Sequence, residues 1–128
     1  MKTMKNTRKG GFTLVEIMIV VAIIGLLAAI AIPNFIKART TAQTNACINN
    51  LRQIDAAKQQ WALETHQVGA ASPLASDIQP YLGRGLAGSV TTVVCPADPA
   101  KTIATSYSIN NIQTAPACLI VAGTHVLP

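Results

Sequence analysis

The segment from Phe12 to Ile32 constrains this chain most. It reads FTLVEIMIVVAIIGLLAAIAI, 21 residues whose single charge is Glu16. As a helix rising about 1.5 Å per residue it spans roughly 30 Å, the thickness of a bilayer's hydrocarbon core. A chain of 128 residues has too little else to wrap such a helix in a soluble core. Four cations, Lys2, Lys5, Arg8 and Lys9, precede it with no acid among them, while only Lys37 and Arg39 follow closely. That excess places the N-terminus in the cytoplasm and everything after Ile32 outside. Half of the residues are hydrophobic and 12% are charged, which excludes a disordered chain. The net charge of +5 is mostly the N-terminal tip, because residues 12–128 carry six basic and five acidic groups. Nucleic-acid binding wants a basic face on the folded part, so the charge suits membrane topogenesis instead.

A plain anchor would explain everything in this segment except Glu16. A secretory signal peptide needs a small-residue cleavage site, and Ile30, Ile32 and Pro33 spoil the one that Ala28, Ala29 and Ala31 imitate. A carboxylate inside an apolar span is expensive and usually has a partner. No basic side chain lies within the span, so the partner is expected from another chain or from a newly made N-terminal amine. A protonated Glu16 near the headgroups is the simpler alternative.

Immediately before the apolar run stands Lys9-Gly10-Gly11-Phe12-Thr13-Leu14-Val15-Glu16. This segment resembles the N-terminal signal of type IV pilins and type II secretion pseudopilins. The resemblance implies that a membrane-embedded prepilin peptidase cuts between Gly11 and Phe12 on the cytoplasmic side. The same enzyme would then methylate the new amine of Phe12. Gly10 and Gly11, lacking side chains, let an extended segment enter a protease cleft. By resemblance, Glu16 pairs with the Phe12 amine of a neighbouring subunit during filament assembly. Such a pair is a device for axial register more than for stability. The resemblance covers residues 8–33.

Gly25 and Pro33 weaken the helix and match positions where pilin helices carry such residues, which implies lost helical order between them in a filament. Alternatively, Gly25 aids close packing in lipid and Pro33 gives a gentle curve. Residues 34–65 contain good helix formers and no further Gly or Pro. Cys47, Leu51, Ile54, Lys58 and Trp61, with Ala57 beside them, recur at helical spacing. Lys58 is expected to lie along this stripe with its ammonium in water, and Trp61 to enter the core. The helix is predicted from about Phe12 to Glu64, roughly 80 Å long.

Residues 66–128 are the candidate head. A short helix is expected over Leu74 to Leu82, placing Leu74, Ile78, Tyr81 and Leu82 on one face. Gly83, Gly85 and Gly88 mark turns. Strands are expected at Val90–Cys95, Thr105–Ile112 and Ala117–Ala122, paired as hairpins. The fold class is therefore α+β, a long N-terminal helix packed against a small antiparallel sheet. The division is a basic leader at 1–11, a transmembrane and assembly helix at 12–33, its amphipathic continuation at 34–65, and the head.

Outside the cytoplasm disulfides are permitted. A Cys95–Cys118 bridge would hold the end of the sheet together. Pairing of Cys47 with either partner, or three free thiols, remain open. Short Cys-x-x-Cys spacing is missing, which argues against a zinc site from the cysteines with His66 or His125. Some secretion pseudopilins carry a calcium loop in the head, but residues from Asp98 to Asn111 hold too few carboxylates for one. No metal or other cofactor is expected.

Asp77 and Asp98 are isolated and neither histidine has a nucleophile beside it in sequence, so no enzyme is indicated. In residues 66–128, Arg84 and Lys101 balance Asp77 and Asp98, so no direct nucleic-acid contact is expected. The chain reads as a structural subunit of a helical filament built from the bacterial inner membrane. Its compact head suits a pseudopilin or a simple major pilin better than a minor pilin with a large adhesive domain. The reading leans towards a type II secretion pseudopilin, with a type IV pilus subunit for adhesion, twitching or DNA uptake as the alternative. A plain anchored extracytoplasmic protein is the reading of another class. The resemblance implies as partners further copies of the chain, related minor subunits, the peptidase, an assembly platform with its ATPase, and lipid before assembly. The filament would be periplasmic or on the cell surface.

Overall fold

The structure, a computed structural model, describes residues 10–82 and 92–128. Most of the leader, the turns expected at Gly83, Gly85 and Gly88, and the start of the strand expected from Val90 lie outside those residues. The elements are α1 (Leu14–Glu64), α2 (Ala75–Ile78), a 3-10 turn (Gln79–Tyr81), α3 (Ile103–Ser106), β1 (Tyr107–Ser108) and β2 (Ala117–Cys118). This is an α+β fold with one long N-terminal helix and a small antiparallel sheet. The chain divides into two compact units, residues 1–38 and 39–128.

In the first unit α1 begins two residues after Phe12, where Thr13 and Glu16 cap it reciprocally. Thr13 Oγ1 accepts from the Glu16 amide at 3.2 Å, and Glu16 Oε2 accepts from the Thr13 amide at 2.8 Å. These two bonds satisfy donors that a helix start leaves unpaired. The apolar side chains beyond, among them Ile17, Val21, Ile24 and Leu27, are all exposed. The helix is long and apolar enough to cross a membrane. Pro33 lies within it.

In the second unit the predicted stripe is the core. Cys47, Leu51, Ile54 and Ala57 of α1 pack with Ile78, Leu82, Val93, Cys95, Tyr107 and Cys118. Trp61 is half-buried against this cluster. Lys58 corrects its expectation. It is fully buried, and its ammonium donates to the Thr114 carbonyl at 2.7 Å and the Ile109 carbonyl at 3.4 Å, with Asp55 Oδ1 3.3 Å away. The 109–114 loop presents carbonyls that a buried cation satisfies better than water would at this depth.

α1 stops where His66 turns left-handed at φ 53°. The Gln67 amide then reaches back to the Ala62 carbonyl at 3.0 Å, the closing bond of a Schellman ending. The short helix expected over 74–82 is present as α2 and the 3-10 turn, with Ile78 and Leu82 buried. Leu74, however, is exposed at the helix entry.

The sheet is smaller than expected. β1 and β2 pair antiparallel with Tyr107 opposite Cys118 and Ser108 opposite Ala117. Residues 92–95 form no strand, although Val93 and Cys95 are buried. The strand expected at 105–112 loses its start to α3, because Thr102 Oγ1 accepts from the Thr105 amide at 3.2 Å and nucleates a helical turn. It loses its end at Asn110, whose φ of 58° leaves the extended region. Asn110 and Asn111 then fold the loop on itself by donating to the Ala115 carbonyl and accepting from the Thr114 amide.

Candidate functional site

Gly10, Gly11 and Phe12 precede the helix and are exposed. A Cβ added at either glycine meets nothing within 4 Å. Among the described residues no packing demands glycine at these positions. Phe12 is 85% exposed and follows directly. The capped turn then holds Glu16, whose Oε2 also accepts from the Thr13 hydroxyl at 2.8 Å. Thr13 thus gives Glu16 hydrogen-bond partners within its own helix, beside the partner expected from another chain or from a new N-terminal amine. The Thr-x-x-Glu spacing of a capping box carries that signal in the sequence. Gly25 has open space around it as well.

The second unit gathers the chain's three cysteines. Cys95 and Cys118 Sγ lie 3.8 Å apart as free thiols. Cys47 joins them from α1, and His125 Nδ1 stands 3.8 Å from each of the Cys95 and Cys118 sulfurs. The four ligand atoms lie within 4.8 Å of one another. All four residues are buried, the cysteines at 0, 0 and 1% exposure and His125 at 5%. His66 sits at the end of α1 and takes no part.

Each member is held from a different element. Cys47 is placed by α1. Cys95 opens a turn in which the Asp98 amide donates to its carbonyl at 2.9 Å. Cys118 lies on β2, and the His125 amide closes a turn onto the Val121 carbonyl at 3.1 Å. Asp98 braces its turn by accepting from the Thr105 and Ser106 hydroxyls at 2.6 and 2.7 Å, and from the Ala100 amide at 2.9 Å. Hydrogen bonds from Thr105 and then Ser106 hold the Asp98 carboxyl below its ordinary range. Burial pushes the Cys47 thiol up to about 12 and raises Cys95 and Tyr107 also. Donors oppose this at two sulfurs, the Tyr107 hydroxyl at Cys47 and the Ala97 amide at Cys95. Sequence spacing gave no sign that His125 belongs here, because the four residues are 48, 23 and 7 positions apart.

An accessible Gly-Gly-Phe segment, a capped apolar span with one internal glutamate, and a small α+β head are the features on which the resemblance to pilins rests. The comparisons agree. Residues 6–32 match the family of the prokaryotic N-terminal methylation motif. The chain is 51% identical over 59 residues to the type IV major pilin protein PilA of Myxococcus xanthus, covering 46% of this chain and 27% of that one. It is 40% identical over 80 residues to the type IV major pilin protein PilE1 of Neisseria gonorrhoeae, covering 58% and 37%. It is 42% identical over 66 residues to the type IV major fimbrial protein FimA of Dichelobacter nodosus, covering 52% and 42%. The chain is homologous to type IV pilin and fimbrial proteins and carries their N-terminal methylation motif. It spans less than half the length of these relatives. No solved structure matches it.

Proposed function

We propose that the protein is a structural subunit of a helical filament assembled from the bacterial inner membrane, and not an enzyme. The observation that carries this reading is the homology to major pilins together with the methylation motif over residues 6–32. In this reading residues 1–11 are the leader. The peptidase cuts after Gly11 and methylates the amine of Phe12. Residues 12–33 hold the processed chain in the bilayer, with the N-terminus cytoplasmic and the head outside. The exposed apolar side chains of that span face lipid first and neighbouring subunits after assembly.

Glu16 then acts twice. It caps its own helix through Thr13, which fixes the carboxylate at the helix start. Its charge also attracts the Phe12 amine of a neighbouring subunit. The attraction is satisfied only in one axial register, so it selects the assembled geometry. Gly25 and Pro33 let the helix between them loosen as subunits pack. Residues 34–65 form the backbone of the head, which is completed by residues 66–128. The assembly platform, its ATPase and minor subunits are the partners this function requires.

The relatives favour a type IV pilus over a secretion pseudopilus, since those compared are pilins and fimbrial proteins. The secretion pseudopilus is the second reading, and the compact head suits either machine. The test is expression in cells carrying the peptidase and both machines. Surface filaments recovered by shearing and containing this chain support the pilus. Periplasmic filaments whose loss stops protein secretion would place the chain in the secretion machine. A chain that inserts and is never polymerised would overturn both.

A further inference from the structure

We propose that Cys47, Cys95, Cys118 and His125 form a structural zinc site inside the head. The proposal is independent of the filament reading, because it concerns only how residues 39–128 are held together.

Geometry is the first argument. Zinc–sulfur bonds of about 2.3 Å and zinc–nitrogen bonds of about 2.0 Å in a tetrahedron set ligand-to-ligand edges of roughly 3.5 to 3.8 Å. The sulfurs of Cys95 and Cys118 and the Nδ1 of His125 form a triangle with all three sides at 3.8 Å. The Cys47 sulfur supplies the fourth corner, with no pair in the set further apart than 4.8 Å. A disulfide would need two sulfurs about 2.05 Å apart and would leave a third thiol and an imidazole buried against it with no task. A tetrahedral ion uses all four.

The second argument is the surrounding hydrogen bonds. His125 Nε2 lies 3.2 Å from Thr44 Oγ1, and Thr44 Oγ1 itself donates to the Thr40 carbonyl at 3.0 Å. The hydroxyl proton is thereby committed, so Thr44 accepts from Nε2–H. That fixes the tautomer in which the Nδ1 lone pair faces the three sulfurs. Metal-binding histidines are oriented by partners of this kind. The Cys95 amide donates to Ser106 Oγ at 3.0 Å, which fixes the backbone that carries that sulfur.

Chemistry selects the ion. Three sulfurs and one imidazole in a tetrahedron suit zinc, and a set this thoroughly buried leaves no open position for substrate. The role is therefore structural. Binding takes Zn2+ into the cluster, forms three Zn–S bonds and one Zn–N bond, and displaces the three thiol protons to solvent. No oxidant or reductant is involved. The ion ties α1 to the Cys95 turn, to β2 and to the C-terminal turn, in a head whose strands among the described residues are two residues long.

The full chain, extracted from membranes in mild detergent and passed through metal-free gel filtration, tests this. One zinc per chain is expected by elemental mass spectrometry, with three thiols open to alkylation once the chain is denatured in chelator. Cobalt(II) in place of zinc should give the intense visible bands of a tetrahedral thiolate site. Thr44→Val should weaken zinc binding about 10-fold while Thr44→Ser retains it. Cys47→Ser should lose the cobalt charge-transfer bands and the retained zinc. A metal-free chain two mass units lighter than its reduced form would overturn the proposal in favour of a Cys95–Cys118 disulfide. So would zinc retention unchanged in Cys47→Ser.

Discussion

The Glu16 carboxylate and Thr13 hold each other across the first turn of α1, with two bonds of 2.8 Å into Glu16 Oε2 and one of 3.2 Å back from the Glu16 amide. Membrane helices tolerate a carboxylate when it faces a donor, and here the donor is part of the helix start. The carboxylate proposed to meet a neighbour's amine is thus held at the helix start by Thr13.

The two roles of Glu16 separate by mutation. Thr13→Ala removes the cap and about 1 kcal/mol of helix-start stability, and filaments should still form. Glu16→Lys removes the charge that selects register, and filaments should be lost while membrane insertion is unchanged. Sheared-filament yield and membrane fractionation read the two outcomes.

Lys58 fastens the 109–114 loop to α1 through the Thr114 and Ile109 carbonyls. Lys58→Ala leaves these groups unpaired beside a void and should destabilise the head by about 3 kcal/mol. Lys58→Met fills the volume and should lose less. Urea unfolding followed by Trp61, the single tryptophan, measures both.

Asp98 should make the head sensitive to acid. Its folded carboxyl is held low, first by the Thr105 hydroxyl and then by Ser106. Its contribution is then complete above the ordinary aspartate value near 4 and is lost as pH falls towards the folded value. Asp98→Asn should flatten the decline in stability below about pH 4, as read by unfolding midpoints across that range.

His66 ends α1 with a left-handed backbone, φ 53°, and is exposed. A glycine takes that conformation without strain. His66→Gly should raise the stability of the head by about 0.5–1 kcal/mol, measured by the same urea titration.

Local pattern made much of this legible. The span from Phe12, the stripe through Cys47, Leu51 and Ile54, and the end of α1 at Glu64 follow from periodicity and composition alone. The strand at 105–112 misled because alternation of Tyr107 and Ile109 ignores Thr102, whose cap spends Ile103–Ser106 on a helical turn. Lys58 misled because the carbonyls that bind it come from 51 and 56 residues further on. His125 was hidden for the same reason. Its neighbours Cys47, Cys95 and Cys118 share no short spacing, and only the packing of four elements brings them together.

The most direct test of the central claim is the intact mass of the chain from native membranes, with fragmentation of its N-terminus. A chain beginning at N-methylated Phe12 is the predicted result, because the proposed reading has the peptidase cut after Gly11 and methylate the new amine within the methylation motif. A chain that still begins at Met1, in cells whose prepilin peptidase is active, would contradict the filament account.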